Sequence, residues 1–426
     1  MLNNKGMKVC LIGLDGVPYS FIKKLTDEGL MPNLASLFRT GELRQMSVSI
    51  PEISSVSWSS FMTGTDSGNH GIFGFMDVRD GSRQLYFPNY TDLKMETLWS
   101  SLERKGKKSV VVNLPSTYPA GRINGILVSG FVAIDLKEAV YPASIVSKLE
   151  SINYRIDVRA HLAKDNPDFL FEELSSVLEA RFRAFELLAN EVDWDFFMPV
   201  ITGTDRLHHF LWSSSLDYEN KYYNAFFGYY KKVDDMIGRL LDSLPEGTQV
   251  MALSDHGFTN IETEVYVNRW LLENGYICYA NDNPMDLEDV SSSSKAFALD
   301  PSRIYINKKS RFKDGIISDG DVKRVVDGIA DAIMGLEYNG KKVIKHAYRP
   351  EEIYSPKEIK SAPDLVLLSN HGYDLKGKLD AGSVFDLRHF TGMHTQDDAF
   401  VFSTNRFPKD NITIFDIKSY IENLFI

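Results

Sequence analysis

The stretch KVCLIGLDGVPYSFIKKLTDEGL, residues 8–30, decides the fold class because it joins two different hydrophobic patterns. Residues 9–14 form a continuous apolar run, which is typical of a strand buried on both faces of a parallel sheet. Residues 19–30 place apolar side chains three or four positions apart, which predicts an amphipathic helix. A strand that stands next to a helix in this way is the repeating unit of an α/β fold.

The same alternation recurs along the chain. The other pairs are KSVVVNL (108–114) after METLWSSLERKG (95–106), TQVMALSD (248–255) after KKVDDMIGRLLDSL (231–244), and DWDFFMPVITG (193–203) after the long helical pattern of residues 166–192. We therefore predict an α/β core built on a mostly parallel sheet with helices on both faces.

The alternation of strand and helix patterns stops after Gly257. The following residues include a serine run at 291–294 and the helix-like stretch DVKRVVDGIADAIMGL at 321–336, and they do not continue the earlier alternation. We interpret residues 259–347 as an inserted cap subdomain.

Strand-like patterns return near the C-terminus, at APDLVLLSN (362–370) and DAFVFSTN (398–405). These runs resemble the buried strands of the first half of the chain. We therefore assign residues 1–258 and 348–426 to one core.

Composition excludes several classes of protein. At 426 residues, with 43% hydrophobic and 25% charged residues, the chain has the composition of an ordinary globular protein. The formal net charge of -11 argues against a nucleic-acid polymer as partner, because phosphate backbones are bound through an excess of Lys and Arg. The longest mainly apolar stretch, GILVSGFVAI at 125–134, is far shorter than the roughly 20 residues of a membrane helix, so we expect no membrane partner.

The N-terminal residues and the cysteines indicate a compartment. MLNNKGMKVCLIG lacks the charged, apolar and cleavage regions of a signal peptide, so we expect a cytoplasmic protein. Cys10 and Cys278 stand in strand-like or apolar segments, and we expect reduced core thiols rather than a disulfide.

Acidic and histidine side chains follow three of the predicted strands, at the point where each strand ends. They are Asp15, Asp205, His208, His209, Asp255 and His256. In open α/β sheets ligands bind beyond the carboxyl ends of the strands, so these side chains are expected to share one site. A single aspartate after a strand often only caps a helix or forms a turn, and the coincidence of three strand ends is what indicates a ligand site.

The spacing of these residues favours metal binding. Four positions separate Asp205 from His209, so both side chains lie on one face of a helix while His208 points elsewhere. A further histidine, His394, stands in the loop FTGMHTQDD. Imidazole and carboxylate ligands together suit zinc best, with manganese or iron as alternatives.

A nucleophile is expected at Ser54, directly before the helix-like stretch SVSWSSFMTG. A helix N-terminus favours an anion such as a phosphoryl group, and a bound zinc ion would favour the serine alkoxide. In the alternative interpretation Ser54 only caps the helix, a role that Ser55 or Ser57 fills equally well.

Taken in order, these segments resemble the alkaline phosphatase superfamily, and within it the type I phosphodiesterase and nucleotide pyrophosphatase branch. The resemblance spans nearly the whole chain and implies an alkaline-phosphatase-like core. It is carried by LDG with Asp15, the block from Pro51 to Ile72 with Ser54, TGT and HGI, and then DRLHH, SDHG and GMH.

The resemblance implies two divalent metal ions, with zinc the expected metal, and Ser54 bridging them. The implied ligands are Asp205, His209 and His394 for one ion, and Asp15, Asp255 and His256 for the other. Family members react in two steps through a covalent intermediate, so Ser54 is the implied catalytic residue.

The chain also departs from the family pattern. Many nucleotide pyrophosphatases carry Thr as nucleophile and, further on, an Asn that contacts a phosphoryl oxygen; here Ser54 stands at the first position and Ser57 is a candidate for the second contact. Asn113 and Tyr118 follow a predicted strand end, and the resemblance places their loop near the mouth of the site, so both are candidate substrate-binding residues.

Three functions remain open from the sequence. The leading interpretation is hydrolysis of a small-molecule phosphodiester, in the manner of a nucleotide pyrophosphatase. A phosphomonoesterase or phosphomutase of the same superfamily would use the same metals. A non-catalytic, metal-stabilised binding protein is the alternative from a different class.

Overall fold

The computed structural model describes residues 6–159, 162 and 166–426, which form two compact units. The first unit contains the chain up to Thr65, Asn89–Thr259 and His394–Ile426. The second unit contains Asp66–Pro88 and Asn260–Met393. The strands Gly257–Asn260 and Gly392–Thr395 lie where the chain leaves the first unit and returns to it.

The first unit is built on a nine-stranded sheet. Its strands lie side by side in the order Ile412–Thr413, Glu42–Ser47, Ala399–Ser403, Gln249–Leu253, Val9–Leu14, Phe196–Ile201, Ser109–Leu114, Gly125–Ser129 and Val140–Tyr141. Every pairing from Gln249–Leu253 across to Gly125–Ser129 is parallel. Ala399–Ser403 runs antiparallel to both of its neighbours, and Val140–Tyr141 is antiparallel at the edge. The predicted mostly parallel α/β sheet is confirmed.

Helices cover both faces of this sheet. The α-helices of the first unit are Tyr19–Asp27, Pro32–Phe38, Ser54–Thr63, Leu98–Arg104, Val146–Ser151, Pro167–Ala189, Gly203–Leu211, Tyr223–Ser243 and Ile417–Leu424. Single 3-10 turns lie at Tyr90–Asp92, Ala143–Ile145, Trp212–Ser215 and Ile414–Asp416.

The central strand shows directly why both faces are covered. Cys10, Ile12 and Leu14 belong to one hydrophobic cluster, which includes the buried face of Pro167–Ala189. Val9 and Leu11 belong to another cluster, which includes Trp58 and Phe61 of Ser54–Thr63. Successive strand residues point to opposite faces, so a continuous apolar run requires a packed layer on each side.

The second unit has smaller sheets around its own hydrophobic cluster. Its main sheet has four strands in the order Ala296–Leu299, Arg303–Ile306, Leu365–Ser369 and Ile344–Tyr348, all antiparallel. The remaining strands are Asp77–Val78, Leu85–Tyr86, Thr263–Tyr266, Glu337–Tyr338, Lys341–Lys342, Tyr373–Lys376 and Phe385–Asp386. The helices are Ser67–His70, Val267–Glu273, Asp319–Ile333 and Pro350–Ile353, with 3-10 turns at Leu287–Asp289 and Pro356–Ser361.

The second unit differs in extent from the predicted insertion at 259–347. It continues to Met393, because Leu365–Ser369 pairs with Arg303–Ile306 and with Ile344–Tyr348 rather than with the parallel sheet. The strand-like run APDLVLLSN therefore lies in the second unit and not in the core to which we assigned it. The second unit also includes Asp66–Pro88, a segment that no sequence pattern separates from the core.

Both cysteines are free thiols, as expected. Cys10 is buried in its strand, but Cys278 is exposed, so the prediction of two core thiols is right only for Cys10. Among the described residues, no helix combines the length and the apolar character that crossing a bilayer requires.

Candidate active site

Three adjacent parallel strands carry the candidate site at their carboxyl ends. Asp15 directly follows Val9–Leu14, and Asp255 comes two positions after Gln249–Leu253. Asp205 lies in the first turn of the helix Gly203–Leu211, which follows the third strand, Phe196–Ile201. Because the strands are parallel neighbours, these ends meet at one edge of the sheet, as the sequence predicted.

One group of candidate ligands consists of Asp205, His209 and His394. Asp205 Oδ1 lies 3.3 Å from His209 Nε2 and 3.3 Å from His394 Nε2. The two imidazole Nε2 atoms are 3.0 Å apart. Asp205 and His209 are neighbours because they are four residues apart in one helix, and the strand Gly392–Thr395 brings His394 to them.

A second group is centred on His256, which is fully buried. Its Nε2 lies 3.4 Å from Asp255 Oδ2, 3.7 Å from Asp15 Oδ1 and 3.9 Å from Asp205 Oδ1. The ligand atoms of Asp15, Asp205 and His256 all lie within 4.8 Å of one another, so Asp205 takes part in both groups, and Asp255 adjoins the second through His256. All six side chains that the resemblance implies as ligands are thus brought together.

Two backbone carbonyls orient the histidines. His256 Nδ1 lies 3.0 Å from the carbonyl oxygen of Gly257, and His394 Nδ1 lies 2.9 Å from that of Glu52. A carbonyl only accepts, so in each ring Nδ1 carries the hydrogen and Nε2 keeps its lone pair in the neutral form. Each Nε2 faces the carboxylates, which is the usual arrangement of a metal-binding imidazole.

His208 has a different environment, as its helical position predicts. Its Nδ1 lies 2.9 Å from the carbonyl oxygen of Gly16, and its Nε2 lies 2.6 Å from the Tyr230 hydroxyl. Both ring nitrogens are therefore used in hydrogen bonds inside the first unit. His208 supports the loop after Asp15 and is not part of the cluster.

The buried carboxylates strongly perturb one another. Burial, and then the negative charges of Asp255 and Asp205, raise the pKa of Asp15 well above its usual range. Burial is also the main cause that raises the pKa of Asp255, to about 7. Burial acts in the same direction on Asp205, but the positive charge of His209, together with the nearby His394 and the charge of Arg206, outweighs burial and holds the pKa of Asp205 well below its usual range.

His256 is neutral at physiological pH, because burial, followed by the nearby His394, lowers its pKa to about 4. The three carboxylates of the cluster are thus not matched by three protonated histidines. A carboxylate taken out of water is costly unless a cation compensates for it. The electrostatics of the site therefore favour bound positive charge.

A second observation supports the fit of these residues to divalent metal ions. Asp205 Oδ1 and Asp255 Oδ2 are buried, and neither has a partner in hydrogen-bonding geometry among the described residues. Both atoms lie within the groups of ligand atoms described above. Mixed imidazole nitrogens and carboxylate oxygens form the donor set that zinc and similar transition metals prefer.

Ser54 is the first residue of the helix Ser54–Thr63 and is 5% exposed. Its Oγ lies 3.2 Å from His256 Nε2 and 3.5 Å from Asp15 Oδ1. The hydroxyl therefore stands at the edge of the second group and at the positive end of a helix.

Two residues that the sequence analysis missed orient the carboxylates. Trp58 Nε1 donates to Asp15 Oδ2 at 3.1 Å, and the Gly16 amide donates to Asp255 Oδ1 at 3.0 Å. Trp58 lies one helical turn after Ser54, so its position on the same helix face was a usable signal. Gly16 has a φ of 67°, a left-handed conformation that glycine adopts without strain.

Among the described residues, none of the three predicted substrate-binding residues forms a hydrogen bond with this cluster. The Ser57 hydroxyl is fully buried and pairs with that of Ser49 at 2.8 Å. Asn113 is also fully buried, and its amide donates to the Val200 carbonyl at 3.0 Å. The Tyr118 hydroxyl donates to Glu138 Oε2 at 2.6 Å. These hydrogen bonds inside the first unit account for the three polar groups.

Comparison with solved structures shows which fold the chain shares. A crystal structure of phosphonoacetate hydrolase from Sinorhizobium meliloti 1021 in complex with phosphonoacetate is similar, with a TM-score of 0.66 and 17% identity over 99% of this chain and 96% of that one. Inactive murine ectonucleotide pyrophosphatase / phosphodiesterase 5 in complex with AMP has a TM-score of 0.59 and 13% identity over 98% and 95% of the two chains. At these identities the likeness establishes the alkaline-phosphatase-like fold.

Sequence comparison gives two results. No curated protein sequence matches the chain significantly. The model of a family of phosphoester hydrolases, however, matches residues 9–397, nearly the whole chain. The chain belongs to the type I phosphodiesterase / nucleotide pyrophosphatase family.

Proposed function

We propose that the chain is a two-metal phosphoesterase that hydrolyses small phosphodiesters through a covalent intermediate on Ser54. One observation carries the proposal. The Ser54 hydroxyl stands at a helix N-terminus, 3.2 Å from His256 Nε2 and 3.5 Å from Asp15 Oδ1, beside two groups of metal-type ligands. A hydroxyl nucleophile, a site for an anion and candidate ligands for two cations therefore meet at one place.

The candidate ligands would hold two ions, and one carboxylate lies within reach of both. Asp205, His209 and His394 would hold one ion, and Asp15, Asp255 and His256 the other, with Asp205 within reach of both. Zinc is the proposed metal because of the imidazole content, with manganese or iron as alternatives. When bound, such a pair favours the ionised serine and stabilises negative charge on the attacking and leaving oxygens.

The residues of the chain divide the reaction into two displacements. Ser54 Oγ attacks phosphorus, a new bond between Oγ and phosphorus forms, and the bond to the leaving alcohol breaks. The serine proton ends on the departing alcohol. Water then attacks the phosphorus of this serine phosphodiester, the bond between phosphorus and Ser54 Oγ breaks, and a phosphomonoester leaves. A proton from the water restores the hydroxyl of Ser54, as in other covalent mechanisms. The positive end of the helix Ser54–Thr63 favours the phosphoryl group in both steps.

The family and the ligands of similar structures support the proposed substrate class. The family description names phosphodiesters and nucleotide pyrophosphates. The similar structures hold phosphonoacetate in one case and AMP in the other, both small molecules with one phosphorus-containing group. We therefore propose a small-molecule phosphodiester, such as a nucleotide derivative, as substrate.

The test compares hydrolysis of bis-p-nitrophenyl phosphate and p-nitrophenyl phosphate by zinc-loaded protein, with a chelated sample for each. We expect a preference for the diester that disappears on chelation. A preference for the monoester would instead support a phosphomonoesterase or phosphomutase. Absence of metal-dependent turnover on either substrate would contradict the proposed hydrolysis and favour an acceptor-dependent mutase or a metal-stabilised binding protein.

Two matched variants test the nucleophile in the same assay. We expect Ser54→Ala to lower turnover about a thousand-fold or more while zinc content stays near that of the wild type, because the six other ligands remain. Ser59 is the control, since its buried hydroxyl only donates to the carbonyl oxygen of Ser55 within the same helix. Turnover of Ser54→Ala near that of Ser59→Ala would exclude Ser54 as the nucleophile.

A further inference from the structure

One arginine contacts the candidate metal centre. Arg206 follows Asp205 in the helix Gly203–Leu211, and only 14% of its side chain is exposed. We propose that Arg206, itself held by Asp157, is a positioning residue that fixes the Asp205 carboxylate as a ligand shared by both metal groups. The inference rests on the proposed metal binding.

The two oxygens of Asp205 have separate roles. Arg206 Nη1 donates to Asp205 Oδ2 at 3.3 Å. Asp205 Oδ1 faces three imidazole Nε2 atoms, at 3.3 Å from His209, 3.3 Å from His394 and 3.9 Å from His256. Arg206 thus holds Oδ2 by a hydrogen bond, and Oδ1 faces imidazole nitrogens of both metal groups.

The guanidinium group is itself fixed in place. Arg206 Nε and Nη2 both donate to Asp157 Oδ2, at 3.1 and 2.8 Å. The ring of Phe131 covers the guanidinium, with its centroid 4.1 Å from Cζ. A planar group held by two carboxylates and an aromatic ring has little freedom to rotate, so the position of Asp205 Oδ2 is well defined.

These contacts favour a positioning role over contact with substrate. Each of the three guanidinium nitrogens of Arg206 already donates to a carboxylate, and an aromatic ring covers the group. A carboxylate ligand that is oriented by a hydrogen bond loses less freedom when it binds a metal. Loss of Arg206 should therefore weaken metal binding, and Asp157 should matter to a smaller extent because it acts through Arg206.

The test is a zinc titration against a chromophoric chelator, with thermal unfolding of the metal-free protein measured for each variant. Loss of an oriented outer contact typically weakens metal affinity 10- to 100-fold, and we expect a shift of this size for Arg206→Met. We expect smaller shifts in the same direction for Asp157→Asn and for Arg206→Lys. Lysine keeps the charge but cannot bond two carboxylates through a planar fork.

Arg155→Met is the matched control. Arg155 donates from Nη1 to Glu173 Oε1 at 3.1 Å, in an ion pair of the same unit that does not include the candidate ligands. Its zinc affinity should equal that of the wild type.

Wild-type zinc affinity in Arg206→Met would overturn the inference, even if its thermal stability falls, because that result would give Arg206 a purely structural role. If Arg206→Met does not fold, unchanged affinities of Asp157→Asn and Arg206→Lys have the same meaning. A wild-type protein that binds no zinc would instead contradict the proposed metal use, on which the inference rests.

Discussion

Two adjacent histidines show how the helix sorts side chains by function. His209 Nε2 lies 3.3 Å from Asp205 Oδ1 and 3.0 Å from His394 Nε2. His208 points into the core and bonds the Gly16 carbonyl and the Tyr230 hydroxyl. Burial lowers the pKa of His208 to about 3, so it is neutral and serves as a buried hydrogen-bonding group. Removal of these two histidines is therefore expected to have different effects.

We expect His209→Ala to lower bound zinc by about one ion per chain and to reduce turnover, because it removes a ligand from one metal group. His208→Ala should keep its zinc but lose roughly 1 to 3 kcal/mol of unfolding free energy for each buried partner left unsatisfied. Metal analysis by mass spectrometry and thermal unfolding distinguish the two. Equal zinc loss in both variants would contradict the separate roles of the rings.

Much of the candidate site was predictable from single residues, because aspartates and histidines after strands meet at one sheet edge. What the sequence could not reveal is which polar groups are already paired. Asn113 lies at the carboxyl end of the strand Ser109–Leu114, close to where Asp15 lies relative to Val9–Leu14, but its amide donates to the Val200 carbonyl and its oxygen accepts from Tyr154. Long-range pairs of this kind leave no local pattern.

At the scale of elements, the presence of a strand was easier to predict than the sheet to which the strand belongs. APDLVLLSN forms a buried strand, Leu365–Ser369, as expected. A short apolar run reads alike in a parallel sheet and in a covered antiparallel one, so the pattern cannot assign the strand to a sheet. Its pairing with Arg303–Ile306 and Ile344–Tyr348 assigns the strand to its sheet, and both partners are distant in sequence.

One buried arginine links the segment Asp66–Pro88 to the rest of the second unit. Arg303 is fully buried; its Nη2 donates to the Met76 carbonyl at 2.7 Å, and its Nη1 donates to the Tyr305 hydroxyl at 3.2 Å. Tyr305 in turn donates to Asp77 Oδ1 at 2.9 Å. A Cβ atom at Gly74 would lie 2.3 Å from Arg303 Cζ.

We expect Gly74→Ala to destabilise the second unit by about 1 to 3 kcal/mol, because the pinned guanidinium cannot move aside without losing its hydrogen bonds. Gly320→Ala is the control, since a Cβ there meets no atom within 4 Å and alanine favours the helix Asp319–Ile333. Urea unfolding of both variants gives the comparison. A Gly74→Ala protein as stable as Gly320→Ala would show that Arg303 is not held as described.

At the scale of the whole molecule, the parallel sheet was predictable and the division into units was only partly so. Alternating strands and helices determine the class of fold, and they include most of the first unit. The second unit is assembled from two separate stretches of chain, Asp66–Pro88 and Asn260–Met393. The composition of the shorter stretch does not distinguish it from the neighbouring sequence. Contacts with residues more than 200 positions away define its place in the second unit.

The buried acidic cluster links the stability of the chain to pH and to metal. Burial raises the pKa of Asp255 to about 7 from an ordinary value of 3.8, so the folded metal-free protein keeps a proton that the unfolded chain has lost. Asp255 therefore stabilises fully below about pH 4, and its contribution disappears as the pH rises through about 7. A bound cation reverses this dependence, because it favours the ionised carboxylate.

The difference in stability between wild type and Asp255→Asn reports Asp255 together with its effect on Asp15, since the buried histidines with lowered pKa values, His208 and His256, are present in both proteins. In chelated samples we expect the wild type to lose stability relative to the variant as the pH rises from about 4 to about 7. With excess zinc, the wild type should instead gain relative to the variant over the same interval, because zinc competes with the proton for the carboxylate. The measurement is the midpoint temperature of the thermal unfolding transition that shifts when zinc is added. A difference that does not change with pH in chelated protein would mean that Asp255 is ionised without metal, and the buried cluster would then not require a cation to compensate for its charge.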